Sequence, residues 1–408
     1  MSPTLPSLAD ASWLRAKATQ AVLAVLDRDG EEARVIGGAV RNTLLGEAVH
    51  EVDIATTATP ETVMARTRAA GFKTVPTGVA HGTVTIVVDG TPFEVTTLRE
   101  DVETFGRHAT VRFGRDWEAD AYRRDFTMNT LSVDRTGRLY DPVGGYDDCR
   151  ARQVCFVGDA ERRVKEDYLR ILRFFRFHAH YGNGAPDPAG FRAAIGGRDG
   201  LRRLSAERIA QEMRRLLLAR RAAETVALMS EAGLIEIVFA GIAYPNVLDR
   251  LAHLEAWRGE RPSAALRFAA AGAAIREDAE RIATRLKLSK AEAKTMLGAI
   301  AAAAHFPVDT AHAARTLLYR LGPTDYSNGV RLAWAQARAA ADARPWPMLL
   351  ELPRTWNPPT FPLDGKSLIK AGVPSGPEVG STLARLEAIW IESDFSLGRE
   401  DLIARLTR

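Results

Sequence analysis

The stretch Arg34–Thr59, RVIGGAVRNTLLGEAVHEVDIATTAT, constrains this chain more than any other. Val35-Ile36 is a short apolar run leading into Gly37-Gly38. An apolar helical segment follows from Ala39 to Leu45, and Gly46 closes it. His50-Glu51-Val52-Asp53-Ile54 then reads as a strand. Strand side chains alternate between faces, so Glu51 and Asp53 share one of them. Two acids so placed repel unless a cation sits between them, and a divalent metal is the simplest candidate. A Gly-Gly turn at a helix start offers free N–H groups and a positive dipole end to a phosphate. Arg41, one turn into that helix, adds a charge-assisted contact. A metal site beside a phosphate cradle points to phosphoryl or nucleotidyl transfer.

At 408 residues the chain exceeds what one core usually serves, so two or three domains are expected. A net charge of +4 permits a polyanionic partner without demanding one. Cys149 and Cys155 are too few for a disulfide framework or a zinc site, which suggests a reducing compartment, the cytoplasm. No apolar run reaches transmembrane length, and no signal-peptide pattern opens the chain. Trp13, Leu14, Val22, Leu23 and Leu26 suggest an amphipathic first helix, capped by Asp10 or Ser12 and running to about Asp29.

Thr59-Pro60-Glu61 is a strong helix start. Thr83–Val88 and Phe93–Leu98 are β-branched runs joined through Asp89-Gly90, a hairpin signal. Glu94 on the second run is either a third acid beside the carboxylate strand or a solvated strand residue. Arg99–Glu118 has no sustained period and reads as a mobile loop near the site or an exposed linker. Asp120–Asn129, DAYRRDFTMN, supplies phosphate clamps and hydroxyl acceptors; taken in isolation it reads first as a surface ion-pair cluster capping a helix. After Cys155 long Ala/Leu/Arg-rich helices are expected. Val164–His178 reads as one helix in which Asp167, Arg170 and Arg173 share or adjoin a face. They suit base edges, or simple intrahelical pairing. His178 and His180 sit two apart on that helix and point apart, against a shared metal. A basic helix capped by Ser205 carries Arg214 and Arg215, with Arg202 and Arg203 just ahead; it faces RNA or solvent. Ala264–Ala304 reads as packed bundle and Pro353–Pro362 as a connector.

Three of these stretches share a family likeness. GGAVRN with LLG and a carboxylate-x-carboxylate strand, then RRDFTMN, then EDYLRILR, resemble the class II tRNA nucleotidyltransferases (CCA-adding enzymes) and their poly(A) polymerase relatives. The likeness spans Val35 to Leu217, and more loosely the rest. Two positions depart from it: Asn42 stands where the family has Asp after Arg41, and Glu51 where it has the first metal Asp. The resemblance implies an α+β fold. A polymerase-beta-like head with a small mixed or antiparallel sheet would span 1–155, a helical neck 156–240, and a helical body and tail 241–408. It implies template-independent addition of C and A to the tRNA 3′ end from CTP and ATP. Glu51 and Asp53 would be the metal ligands for Mg²⁺, with Mn²⁺ tolerated, and Glu94 would join them as a catalytic acid. Gly38, Arg41, Asp120, Arg123, Asp125, Asn129, Asp167, Arg170 and Arg173 would bind the nucleotide, with Asp167 and Arg170 reading the base. Arg202, Arg203, Arg214 and Arg215 would bind RNA. No membrane or obligatory protein partner is implied. A poly(A) polymerase or A-only adding enzyme on the same scaffold is the alternative, and an inactive RNA-binding homologue is another.

Overall fold

Strand β1 (Ala33–Ile36) buries Ala33 and Val35 and leaves Arg34 and Ile36 partly open, the alternation of a strand with unlike faces. The computed structural model describes residues 5–105, 108–337 and 345–406, with side chains described outside 100–111. The chain leaves β1 through Gly37 at φ 64° and ψ −117°, a conformation that only glycine adopts cheaply. The helix Gly38–Leu45 starts at once, and Gly46 ends it in the left-handed region. Strand β2 (Asp53–Thr56) follows. Thr59 then caps the helix Pro60–Ala69, its hydroxyl accepting from the Thr62 amide.

Strands β3 (Lys73–Gly78), β4 (Thr83–Val88) and β5 (Thr91–Thr97) come next. Asp89 and Gly90 both take positive φ, as a two-residue hairpin turn between twisted strands requires. Strands β6 (Arg99–Phe105) and β7 (His108–Phe113) pair with each other, and β8 (Ser132–Val133) and β9 (Leu139–Tyr140) complete the set. Seven strands form one sheet in the order β3-β4-β5-β2-β1-β8-β9. Only β2 and β5 run parallel in it, so the sheet is mixed, as expected.

Register decides what each face carries. Val84, Val95, Ile54, Val35 and Val133 are successive partners and all are buried. The helices Lys17–Leu26 and Pro60–Ala69 pack on the sheet. The alternate row runs Glu94, Asp53, Ile36, Ser132, Tyr140 across β5, β2, β1, β8 and β9. A one-residue slip of β2 would bury Asp53 in the valine layer, so the apolar row pins the carboxylate row.

Several expectations are corrected. The first helix is two, Ser12–Arg15 and Lys17–Leu26, and neither start has a side-chain cap. Gln20 donates to the Leu14 carbonyl (3.0 Å), taking up an acceptor beside the break. Arg99–Glu118 is no loop: its backbone pairs from Arg99–Phe113 to Phe105–His108, a ladder that mixed charges disguise. Glu51 precedes β2 rather than lying within it. The helix foreseen over Val164–His178 is broken, into Ala160–Glu166 and Leu169–Tyr181, with Asp167 extended between them. The Asp167 carboxylate accepts from the Leu169 amide (3.1 Å), which starts the second helix locally. Pro353 lies inside the helix Pro345–Thr355, so the connector begins later.

The chain divides into two units, Met1–Ile242 and Ala243–Arg408. In the first, Phe126 and Phe156 stack with Phe174 and Phe177 at centroid distances of 4.9–5.5 Å, fastening the Leu169–Tyr181 helix to the RRDF segment. The second is helical throughout its described residues. Its long helix Ala311–Gln336 kinks at Gly322-Pro323. Leu368, Leu386, Trp390 and Leu402 form a core near its end.

Gly145 opens the helix Gly145–Arg150 directly against the turn that carries Asn129. A Cβ there would lie 2.1 Å from the Thr127 carbonyl oxygen, a backbone atom. Gly145→Ala should therefore cost about 1–3 kcal/mol, read as a lowered urea midpoint with an unchanged m-value.

Candidate nucleotide-binding and catalytic site

Asp53 stands first on β2, with Glu94 beside it on the parallel neighbour β5. Burial, then the charges of Glu94 and Glu51, push its carboxyl up to about 6, opposed by Arg124. Three acids thus act on one spot, and that spot is short of positive charge. Among the described residues, no three His, Cys, Asp or Glu side chains are gathered as a ready metal cage. Mg²⁺ does not need one: it takes one or two carboxylates and completes its shell with water and substrate phosphate. The hard oxygen donors of Glu51 and Asp53 fit that ion.

A cleft of about 440 Å³ opens beside Gly37-Gly38. Every nucleotide-binding candidate except Asp120 lines it, and Arg124 and Arg208 join them. Its walls carry six arginines and two aspartates. Most of these arginines are already paired. The Asp125 carboxylate accepts from Arg173 Nε (2.8 Å), Arg173 Nη2 (2.5 Å), Asn129 Nδ2 (3.0 Å) and the Phe126 amide (2.9 Å). Burial alone would raise Asp125; Arg173 and Asn129 outweigh it and hold it low. Arg208 donates to Asp167 (2.7 Å), and Arg170 donates to Glu166 (2.5 Å). Arg163 also bonds Glu166 and reaches the carbonyls of Arg123 and Arg124.

Arg41 differs. It is only 7% exposed, and no carboxylate among the described residues pairs with it. Its guanidinium donates to Asn129 Oδ1 (2.6 Å), Asn42 Oδ1 (2.9 Å) and the Tyr181 hydroxyl (2.8 Å). It also lies 4.1 Å from the centre of the Tyr181 ring. Burial lowers its pKa. These partners are neutral, and Asp125 acts on Arg41 without pairing with it, so a nearly buried positive charge lines the cleft with no ion-pair partner among the described residues, an arrangement that favours an incoming anion. Asn42 keeps the acceptor that an aspartate would supply and withholds its charge.

Asp120 lies outside this cleft. Its buried carboxylate accepts from Arg123 (2.7 Å) and Arg124 (2.8 Å), and despite burial those two arginines hold it low. It orients the arginine pair. Arg208 was not expected here, and Arg124 entered the expectations only within the DAYRRDFTMN clamp. Arg124 had a signal, as the second arginine of RRD; Arg208 had none, being 41 residues from Asp167. Arg202 and Arg203 are exposed in the turn Arg198–Arg203, Arg215 is exposed on the helix Ala206–Leu217, and Arg214 is half-buried there.

A mixed sheet with a carboxylate row, a Gly-Gly helix start and an arginine cleft beside it defines a nucleotidyltransferase head. The family model described as poly A polymerase head domain matches residues 33–155. A second, the probable RNA- and SrmB-binding site of polymerase A, matches 197–244. CCA tRNA nucleotidyltransferase 1, mitochondrial, of Danio rerio is 34% identical over 391 residues, 94% of this chain and 89% of the relative. The crystal structure of the Bacillus stearothermophilus CCA-adding enzyme in complex with CTP superposes with a TM-score of 0.76 at 30% identity, covering 96% of each chain. The Thermotoga maritima CCA-adding enzyme complexed with tRNA shares the fold, with a TM-score of 0.68 at 17% identity, covering 95% of this chain and 93% of that one. The chain belongs to the CCA tRNA nucleotidyltransferase family.

Asp125 generates a stability prediction. Asp125→Asn removes the charge that half-buried Arg173 pairs with at short range, leaving it the longer Glu212 contact at 3.9 Å, and should cost about 1.5–3 kcal/mol. Because the native carboxyl is held below its ordinary value of 3.8, its contribution is present above that value and is lost as pH falls through the depressed one. Denaturant midpoints of parent and variant should differ most at neutral pH and converge in acid.

Proposed function

We propose that this chain extends the 3′ end of tRNA with C and A nucleotides from CTP and ATP, without a nucleic-acid template. The observation that carries this reading is Arg41, nearly buried and without an ion-pair partner among the described residues, in an arginine-lined cleft beside the Asp53 carboxylate row. Residues 1–155 act as the catalytic head, 156–240 as a helical neck, and 241–408 as body and tail that hold tRNA. The triphosphate lies along Gly38 and Arg41, with Arg123 adding charge. Asn129 and Asp125 steer Arg41 and Arg173 into place. Asp167 and Arg170 read the base. Arg170 spends only Nη1 on Glu166 and the Arg163 carbonyl, leaving Nε and Nη2 to donate to acceptors on a base edge.

Glu51 and Asp53 would hold Mg²⁺, with Mn²⁺ tolerated, and the metal's chemistry there is to offset the triphosphate charge and activate a hydroxyl. The acceptor 3′-oxygen bonds to the α-phosphorus while the α-phosphorus–oxygen bond to the β-phosphate breaks. Pyrophosphate departs with the bonding pair, and the hydroxyl proton passes to Glu94. The exposed arginines of the RNA-binding match, Arg202, Arg203 and Arg215 with Arg214, contact tRNA phosphates. Both cysteines are free thiols, which supports a reducing compartment, the cytoplasm. No described helix is long and apolar enough to cross a membrane.

The deciding experiment supplies purified protein with tRNA lacking its CCA end. Incorporation from CTP alone, followed by A once ATP is added, is expected. Addition of A without any C identifies an A-only or poly(A) enzyme, and binding without incorporation identifies an inactive homologue. In the same assay Glu51→Gln and Asp53→Asn should each lose about 100-fold or more while tRNA affinity holds, and Glu51→Asp should retain or raise Mg²⁺-dependent activity. Neutralising Arg202 and Arg203 together should weaken tRNA binding and shallow its log–log salt slope by about 0.7–0.9 per lost phosphate contact, measured by filter binding across a salt series.

A further inference from the structure

The carboxylate face of the sheet carries a second cleft. It is smaller, about 230 Å³, and its lining includes Ile36, Ser132 and Tyr140 of the sheet with Trp117 and Arg124. Ile36 is the register partner of Asp53, Ser132 of Ile36, and Tyr140 of Ser132. The floor of this cleft is therefore the same row of side chains that bears Asp53 and Glu94. Arg124 lines both clefts, and its charge acts on Asp53.

Their chemistry differs. In the small cleft the Arg34 guanidinium lies between two rings, 4.0 Å from the centre of Trp117 and 3.7 Å from that of Tyr140. Glu32 neutralises it at 2.6 Å and also accepts from Trp117 Nε1 (2.9 Å). Both cations here have a carboxylate partner, Arg34 in Glu32 and Arg124 in Asp120. Nothing in this cleft corresponds to Arg41, which has no ion-pair partner among the described residues, so a triphosphate gains more in the larger one. The small cleft offers flat aromatic and guanidinium surfaces, the groups on which unpaired RNA bases stack with little regard to sequence.

In-line displacement at phosphorus places the attacking oxygen and the leaving oxygen on opposite sides. With the triphosphate in the arginine cleft, the acceptor must reach Asp53 from another direction, and the small cleft lies along the same sheet row as Asp53. We propose that this cleft seats the 3′-terminal nucleotide of the acceptor RNA, its base on the Trp117–Arg34–Tyr140 stack and its hydroxyl directed toward Asp53. Trp117 and Tyr140 are positioning residues. A stacking surface indifferent to base identity suits a terminus that changes as each nucleotide is added. The inference rests on the functional reading above and names the acceptor's seat within it.

The test has two arms on the full chain. In the first, a tRNA with a photoreactive 3′-terminal base is cross-linked to the unaltered protein and the adducts are mapped by mass spectrometry. Adducts at Trp117, Tyr140 or their immediate neighbours are expected; adducts confined to other segments overturn the proposal. In the second, Trp117→Ala and Tyr140→Leu are compared with the parent. Each should raise KM for tRNA about 10-fold, the scale of one lost base stack, with KM for CTP and CTP binding in equilibrium dialysis unchanged within about twofold. Trp117→Phe, which keeps a ring, should recover most of the acceptor KM. Equal changes in both KM values, or none, overturn the proposal while leaving the enzyme's activity established by the parent. A parent that incorporates neither C nor A overturns the underlying reading, and this inference with it.

Discussion

One nearly buried carboxylate sets the geometry on which the site depends. Asp125 accepts four hydrogen bonds, two from Arg173, one from Asn129 and one from its neighbour's amide. Arg173 belongs to the Leu169–Tyr181 helix, and Asn129 to the turn of the head that in turn holds Arg41. A single charge thus joins the sheet-bearing part of the first unit to its helical part and orients the arginine whose own charge is left open. Burying that carboxylate is costly, and the two Arg173 donors on its Oδ2 offset the cost where a neutral partner would not.

The site separates its charges. Asp53, Glu94 and Glu51 form an acidic region on the sheet, while arginines dominate the cleft next to it. Each would be unstable if the protein neutralised neither. The arginines are largely balanced by Asp120, Asp125, Glu166 and Asp167, which leaves Arg41 as the exception. Against Asp53 stands Arg124. On the proposed function, a nucleoside triphosphate with its metal would complement both imbalances at once.

The two departures from the family pattern fall on opposite sides of this division. Asn42 removes a negative charge next to Arg41 and preserves the oxygen that receives its hydrogen bond. Glu51 keeps the charge of an aspartate and lengthens its reach. It lies ahead of β2, not within the strand, so the added methylene is spent from a backbone position free of ladder constraints.

By itself the sequence determined the elements whose signals are local. The Gly37 turn, the Asp89-Gly90 hairpin, the Thr59 and Ser205 caps and the valine-rich strands each follow from a few adjacent residues. The residue types of the nucleotide cleft were legible for the same reason, since GGAVRN, RRDFTMN and EDYLR are contiguous. Only tertiary structure decided the rest. The β6–β7 pair was hidden because strand pairing rewards a cross-strand partner rather than a pattern within the strand. Asp167 looked like one residue of a continuous helix until its side chain bonded the Leu169 amide and Arg208 far along the chain. Arg34, Trp117 and Tyr140 carry no joint signal, yet the order in which β1, β8 and β9 lie side by side sets two of them over the row that bears Asp53, with Trp117 closing over Arg34. Sequence spacing encodes local geometry; which distant residues share a sheet face is set by register, and register is fixed only when the apolar face is buried.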